Sequence, residues 1–252
     1  MNDTTWLALI ALSEPVLPDP HAVAARCDAM APDEAPLVLS SHTEGMATFE
    51  WGEATVAYTL VDKPIPAQQL EGPCECAWYW PTAWQDLAGH KAHLIVALID
   101  DGRNRLAKGV KLTRLSAALL ANAHACGLQW GGSRQVHAPA AFIDLATKMT
   151  LEDLPLYLWI DFRVEPIAEG TWRLFTTGME AFGRKELEVA HFVGDPQELV
   201  NHVYNIAHFQ LDRTPGMKGG DTIGLPGDVQ ATIEEADSFA EDDQPVLRVE
   251  FD

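Results

Sequence analysis

Positive charge is scarce in this 252-residue sequence: 17 Lys and Arg stand against 37 Asp and Glu, a formal net charge of −20. A field of that sign repels nucleic acid, phosphate-rich ligands and anionic membrane surfaces, which removes those partner classes from expectation. Cysteine is scarce as well. Cys27, Cys74, Cys76 and Cys126 contain no C-x-x-C pair, and Cys74 and Cys76 are too close for an easy disulfide, so free thiols in a reducing compartment are expected. No apolar run is long enough to cross a bilayer. The first such run, Trp6–Leu12, follows residues without a basic flank; we read it as a buried strand rather than a secretory leader, and expect a cytoplasmic protein. Nucleophile elbows, dinucleotide-binding glycine patterns and internal repeats are also missing.

What is present is an ordinary globular composition, 47% apolar and 21% charged, which sets disorder aside. Strands are expected at Trp6–Leu12, Leu37–Ser40, Met46–Trp51 and Ala54–Val61, with a hairpin at Trp51-Gly52-Glu53 and a helix from about His21 to Met30. Pro64 to His90 carries four prolines and Trp78-Tyr79-Trp80 with Trp84, and reads as short helices packed through aromatics. The continuous run His93–Ile99, closed by Asp100-Asp101-Gly102, fits a strand buried on both faces. A helix is expected over Leu106–Cys126, stopped by Gly127, then a strand at Leu128–Trp130, a helix at Ala140–Met149 and a strand at Leu156–Val164. Trp172–Thr177 and Lys185–Val193 read as strands, Asp195-Pro196 opens a capped helix to about Arg213, and Pro245–Phe251 is a last strand.

Hairpin-like strand neighbours mixed with helices indicate an α+β fold, with mostly antiparallel sheets and packed helices, for which two ferredoxin-like lobes are one arrangement. The expected division is an N-terminal lobe at 1–89, ending in the Trp/Pro-rich connector, and a C-terminal lobe at 90–252, together forming one compact unit.

The densest chemistry lies in FTTGMEAFGRKELEV, Phe175 to Val189. Two glycines bracket a tight connection, and the alternation of the last strand puts Leu187 and Val189 on one face and Glu186 and Glu188 on the other. Two carboxylates on one face can bind a metal or act as an acid–base pair, but a half-exposed strand with a solvated face is the ordinary amphipathic pattern and is the favoured reading. The glycine-rich loop Gly216–Asp228 fails the phosphate-loop spacing, and Asp221 and Asp228 oppose a phosphate. Lys108–Arg114, flanked by Arg103 and Arg105, reads as a solvated basic helix face. His90 and His93 straddle a loop-to-strand junction. His202 and His208 sit six apart on a helix, roughly 240° around it, so no metal set is expected. Glu234–Asp243 holds six acids in ten residues: Glu234, Glu235, Asp237, Glu241, Asp242 and Asp243.

TTGMEAFGRKELEV, the capped helix with VYNIAHFQL, and GGDTIG resemble a bacterial family known as domain of unknown function 4261, most clearly over about 156–251. The resemblance implies a fold class and a bacterial origin; it carries no activity and no functional residues. The residues themselves lead to a non-catalytic acidic interaction protein, such as an immunity or adaptor protein, binding a basic protein partner through the acids of 234–243, without cofactor or metal. The alternatives are a carboxylate- or metal-dependent hydrolase using Glu180, Glu186, Glu188 or Asp221, and a small-molecule site lined by Trp78, Trp80, Trp84 and Trp130.

Overall fold

The computed structural model describes residues 6–99, 102 and 104–252. The strand stop at Asp100 and Asp101, and Arg103 of the basic patch, lie outside the described residues. The fold is α+β, with two mostly antiparallel sheets. The chain divides into two compact units, Met1–Leu158 and Trp159–Asp252. A boundary at 89/90 would instead cut through one sheet, because the strand Ala92–Ile99 is paired on both sides by strands that precede residue 89.

Unit 1 opens with β1 (Trp6–Leu12), α1 (Pro20–Met30), β2 (Val38–His42), β3 (Met46–Trp51) and β4 (Ala54–Val61). Asp19 caps α1, accepting from His21 N and Ala22 N, and Pro20 takes the first helical position where its missing N–H costs nothing. The β3–β4 turn places Gly52 at φ 64°, the left-handed region that glycine tolerates best. The connector forms α2 (Ala67–Cys76) and α3 (Ala83–Leu87); then come β5 (Ala92–Ile99), α4 (Arg105–Asn122), β6 (Ala125–Trp130), β7 (Val136–His137), α5 (Pro139–Lys148) and α6 (Leu156–Trp159), whose last residue begins unit 2. The seven strands run in the order β2-β3-β4-β5-β1-β6-β7. Within it, β1-α1-β4-β5-α4-β6 with spatial order β4-β5-β1-β6, all antiparallel, is the split β-α-β arrangement of ferredoxin-like folds. Alternation buries Ile10, Val56, Leu94 and Val96, and Leu112, Leu115 and Leu119 of α4 are buried with them.

Two expectations change here. The helix stops at Asn122 and the strand begins at Ala125, so Gly127 lies inside β6 instead of ending α4. Tertiary packing explains the glycine: a Cβ at 127 would lie 2.8 Å from both Leu87 Cδ2 and Trp80 Cη2, the side chains through which the connector packs onto the sheet. Leu156–Val164 is not one strand. A helical turn occupies Leu156–Trp159, and the strand starts at Asp161. Leu156, Leu158, Trp159 and Ile160 are buried and Tyr157 alone of the five is exposed, so the stretch is too short and too apolar for its pattern to separate a helical turn from a strand.

Unit 2 comprises β8 (Asp161–Ala168), β9 (Thr171–Thr177), β10 (Leu187–Val193), α7 (Pro196–Asp212), β11 (Thr222–Leu225), β12 (Val229–Asp237) and β13 (Pro245–Phe251). The order is β11-β12-β13-β10-β9-β8, and only β10 and β13 pair in parallel. Asp195 caps α7 through Gln197 N at 2.8 Å, and Leu199, Val203, Ile206 and Leu211 form its buried stripe. With one long helix against six strands, this unit lacks the second crossover helix of a ferredoxin-like lobe among its described residues. The expected glycine-rich loop contains β11, a four-residue strand paired to β12.

Two outcomes follow for unit 1. Gly127→Ala should destabilise the protein by about 1–3 kcal/mol in chemical denaturation, since the added methyl overpacks a closed contact. His137 is buried with its Nε2 unpartnered, and burial lowers its pKa from 6.5 to about 4, against a backbone hydrogen bond with Leu158. Between those values the unfolded chain takes up a proton that the folded chain refuses. Stability therefore falls as pH drops from about 6.5 to about 4, by about 3 kcal/mol from this group, and its contribution then levels off. Across this window the wild type should lose about 3 kcal/mol relative to His137→Leu, read from paired chemical denaturations at each pH.

Candidate functional site

The corner between β9 and β10 is built around one carboxylate. Thr176 and Thr177 end β9, and Gly178 at φ 123° and Gly183 at φ 75° bracket a 3₁₀ turn over Met179–Phe182. The N–H groups at the start of that turn have no partner within it. Glu186 accepts them: Gly178 N at 2.8 Å and Glu180 N at 3.2 Å reach Oε1, and Thr176 Oγ1 donates to Oε2 at 2.7 Å while accepting from Leu187 N at 2.8 Å. Met179 and Phe182 plug the corner, with the Phe182 ring 5.1 Å from that of Trp159. Glu186 is 5% exposed. Burial raises its pKa, while the bonds from Thr176, Gly178 and Glu180 oppose that rise.

Glu188 does a different task. A row of side chains runs across five strands, Arg163–Phe175–Glu188–Arg248–Glu234, set by the registers of β8, β9, β10, β13 and β12. The segment after β12 folds back over this face. Ser238 Oγ donates to Glu188 Oε1, Phe239 N donates to Oε2 at 3.1 Å, and Arg248 Nη2 donates to Oε2 at 3.0 Å and to Asp237 O at 2.7 Å. Phe239 lies under Arg173 and Arg248, at 5.2 and 5.5 Å from their guanidinium carbons, and edge-on to Phe175. Arg163 and Arg173 are matched by Asp161 and Glu165 at 2.6 and 2.5 Å. The expectation of a solvated face for Glu186 and Glu188 is thus corrected: Glu188 is 1% exposed, covered by a segment fifty residues away in sequence.

That segment carries the acids. Ser238 Oγ also accepts Ala240 N and Glu241 N at 2.9 Å each, and Ser238 N donates to Gln244 O at 2.9 Å, closing the loop. Glu234, Glu235 and Asp237 lie on β12, Glu241, Asp242 and Asp243 on the loop, and all six are exposed. Among the described residues, only Glu235 of the six forms an ion pair, with Lys185 at 3.3 Å. Ser238, Phe239, Thr176 and Arg248 escaped the sequence reading; the lone cation in PVLRVEF, alternating onto the face opposite Leu247, was the available signal.

The remaining candidates are dispersed. Glu180 is exposed on the turn, and Asp221 accepts Lys218 N at 3.0 Å. Glu186 and Glu188 are filled with protein donors, and no group of three or more His, Cys, Asp or Glu side chains among the described residues is arranged for a metal. His90 is satisfied by Ile65 N on Nε2 and Leu87 O on Nδ1, and His93 bonds Lys63 O. In the basic patch, Lys111 donates to Trp51 O and Arg114 pairs with Glu34. Trp80 and Trp130 are core residues, whereas Trp78 and Trp84 are exposed. All four cysteines are free, and burial holds the Cys27 and Cys74 thiols at about 12 and about 11.

Residues 175–250 match the family described as domain of unknown function (DUF4261). The DUF4261 segment contains the Glu186 corner, the Glu188 network and the acidic loop, and leaves unit 1 and β8 outside. No curated protein and no solved structure matches the chain significantly. No helix among the described residues is long and apolar enough to cross a membrane.

Glu188→Ala would leave the half-buried guanidinium of Arg248 without its carboxylate and two donors of the loop without an acceptor. A loss of about 3–5 kcal/mol is expected, with faster amide exchange at Phe239–Glu241 read by hydrogen–deuterium exchange. Glu188→Gln, which keeps an acceptor, should lose less.

Proposed function

We propose that this is a non-catalytic, acidic protein-binding protein of the bacterial cytoplasm, of the immunity or adaptor kind, whose partner is basic. The observation that carries the reading is the exposed acidic set of β12 and its following loop, five of whose six carboxylates have no counter-cation among the described residues, held in place by the network of buried Glu188 with Arg248 and Ser238. An unmatched field of this sign speeds encounter with a cationic surface and makes it salt-sensitive. A prearranged loop loses less conformational freedom on binding than a mobile one. The net charge of −20 works in the same direction and against anionic partners. Three of the four carboxylates of the hydrolase alternative, Glu186, Glu188 and Asp221, bond protein groups, which gives that reading no support of its own.

The test is affinity capture from the native host at about 50 and about 300 mM salt, using the wild type and the triple variant Glu241→Gln, Asp242→Asn, Asp243→Asn. A basic protein recovered at low salt, lost at high salt and depleted about tenfold or more with the variant is expected. Recovery indifferent to both salt and variant would sink the reading.

A further inference from the structure

Unit 1 presents a second surface that this reading leaves unused. Between Pro64 and His90 there is no Lys or Arg, while Glu71, Glu75 and Asp86 are all exposed. In the same stretch Trp78 is 71% exposed, Tyr79 40% and Trp84 41%, an unusual display of large rings in water. The rings are mounted on fixed supports. Tyr79 stacks on His137 with centroids 6.0 Å apart and planes at 21°, and its hydroxyl donates to Val136 O at 3.0 Å. Trp78 stands edge-on to Tyr79 at 5.8 Å. Asp86 is held on the same connector by Trp80 Nε1 at 2.8 Å and Thr82 Oγ1 at 2.6 Å, both on Oδ2. Elsewhere in the chain Trp51, Phe175, Phe209 and Phe239 each have a Lys or Arg of the chain against the ring; among the described residues none lies over Trp78 or Trp84.

We infer that the α2–α3 connector is a docking surface for an arginine-bearing segment of a basic protein, whose guanidinium covers the Trp78 ring with the exposed acids of the connector as counter-charge. Arginine fits better than lysine because its planar, weakly hydrated cation stacks on an aromatic face and can still donate to a carboxylate. A membrane surface fits poorly, because three acids without a cation repel anionic headgroups. A second copy fits poorly as well, since each carries a net charge of −20. The inference rests on the basic-partner reading and adds a contact in the other unit, outside the DUF4261 segment.

The test is fluorescence anisotropy of a labelled octapeptide alternating glycine and arginine, titrated with the full chain at about 150 mM salt. Comparators are its lysine and glutamine counterparts, Trp78→Ala, and the Glu241→Gln, Asp242→Asn, Asp243→Asn variant. The exposed position of Trp78 makes loss of folding a poor explanation for any effect, and circular dichroism checks it. Expected are saturable binding of the arginine peptide, weaker binding of lysine, none of glutamine, a fivefold to tenfold loss in Trp78→Ala, and a change below twofold in the acidic-loop variant. Absent binding, equal binding by Trp78→Ala, or equal binding of the glutamine peptide would overturn the inference. So would adsorption of the wild type, but not Trp78→Ala, to phosphatidylcholine vesicles, which would make the rings a lipid contact. None of these results bears on host-partner capture through 241–243, so the two readings fail separately.

Discussion

A carboxylate taken out of water must have its charge and lone pairs matched, or the fold that buries it is lost. Glu188 stands in that position in unit 2. It lies on the inner strand β10, and its oxygens receive a hydroxyl, a main-chain N–H and a guanidinium, drawn from the loop after β12 and from β13. The position of the loop, the stacking of Phe239 beneath two arginines and the outward display of Glu241–Asp243 all depend on that match. Arg248 is not fully served in return, since its Nε is buried without a partner. The arrangement therefore favours a defined geometry over maximal stability.

The two glutamates of the KELEV stretch show why neighbouring residues of one chemical type need separate accounts. Glu186 neutralises unfulfilled donors of a turn only a few residues upstream, a local service like a helix cap. Glu188 ties together strands far apart in sequence. Neither has an oxygen free for a substrate or ion, so the density of charge that makes the motif conspicuous is consumed by folding.

Features governed by local rules were readable beforehand. The Asp195-Pro196 start of α7 and the Gly52 hairpin depend on a few neighbouring residues, and both stand where the sequence puts them. The alternation of Leu187 and Val189 with Glu186 and Glu188 was legible too, but it says only which residues share a face, not what covers it. The cover is a loop some fifty residues later, with no period of its own. Gly127 misled for a related reason: as a helix stop it obeys a local rule, yet its real constraint is the ring of Trp80 and the methyl of Leu87. Around Leu158 an alternation of apolar and polar positions holds only from Asp161 onward, and the few residues before it fit a helical turn as well as a strand. The exposure of Trp78 beside the burial of Trp80 was likewise beyond composition, which counts both as aromatic.

The parallel pairing of β10 with β13 bears on how the protein is made. β13 is the last strand of its sheet in the sequence, yet it lies inside the sheet, between β12 and β10. On a translating ribosome, β8, β9 and β10 are complete while the strand that must flank β10 is still unsynthesised. Until Pro245–Phe251 emerges, β10 has an open edge, and Glu188 has no arginine to face. Closure of unit 2 is thereby a late event built from distant contacts, the kind that loop entropy makes slow. The nascent chain must keep that edge in solution meanwhile, and the charge of the acids already synthesised helps it to do so.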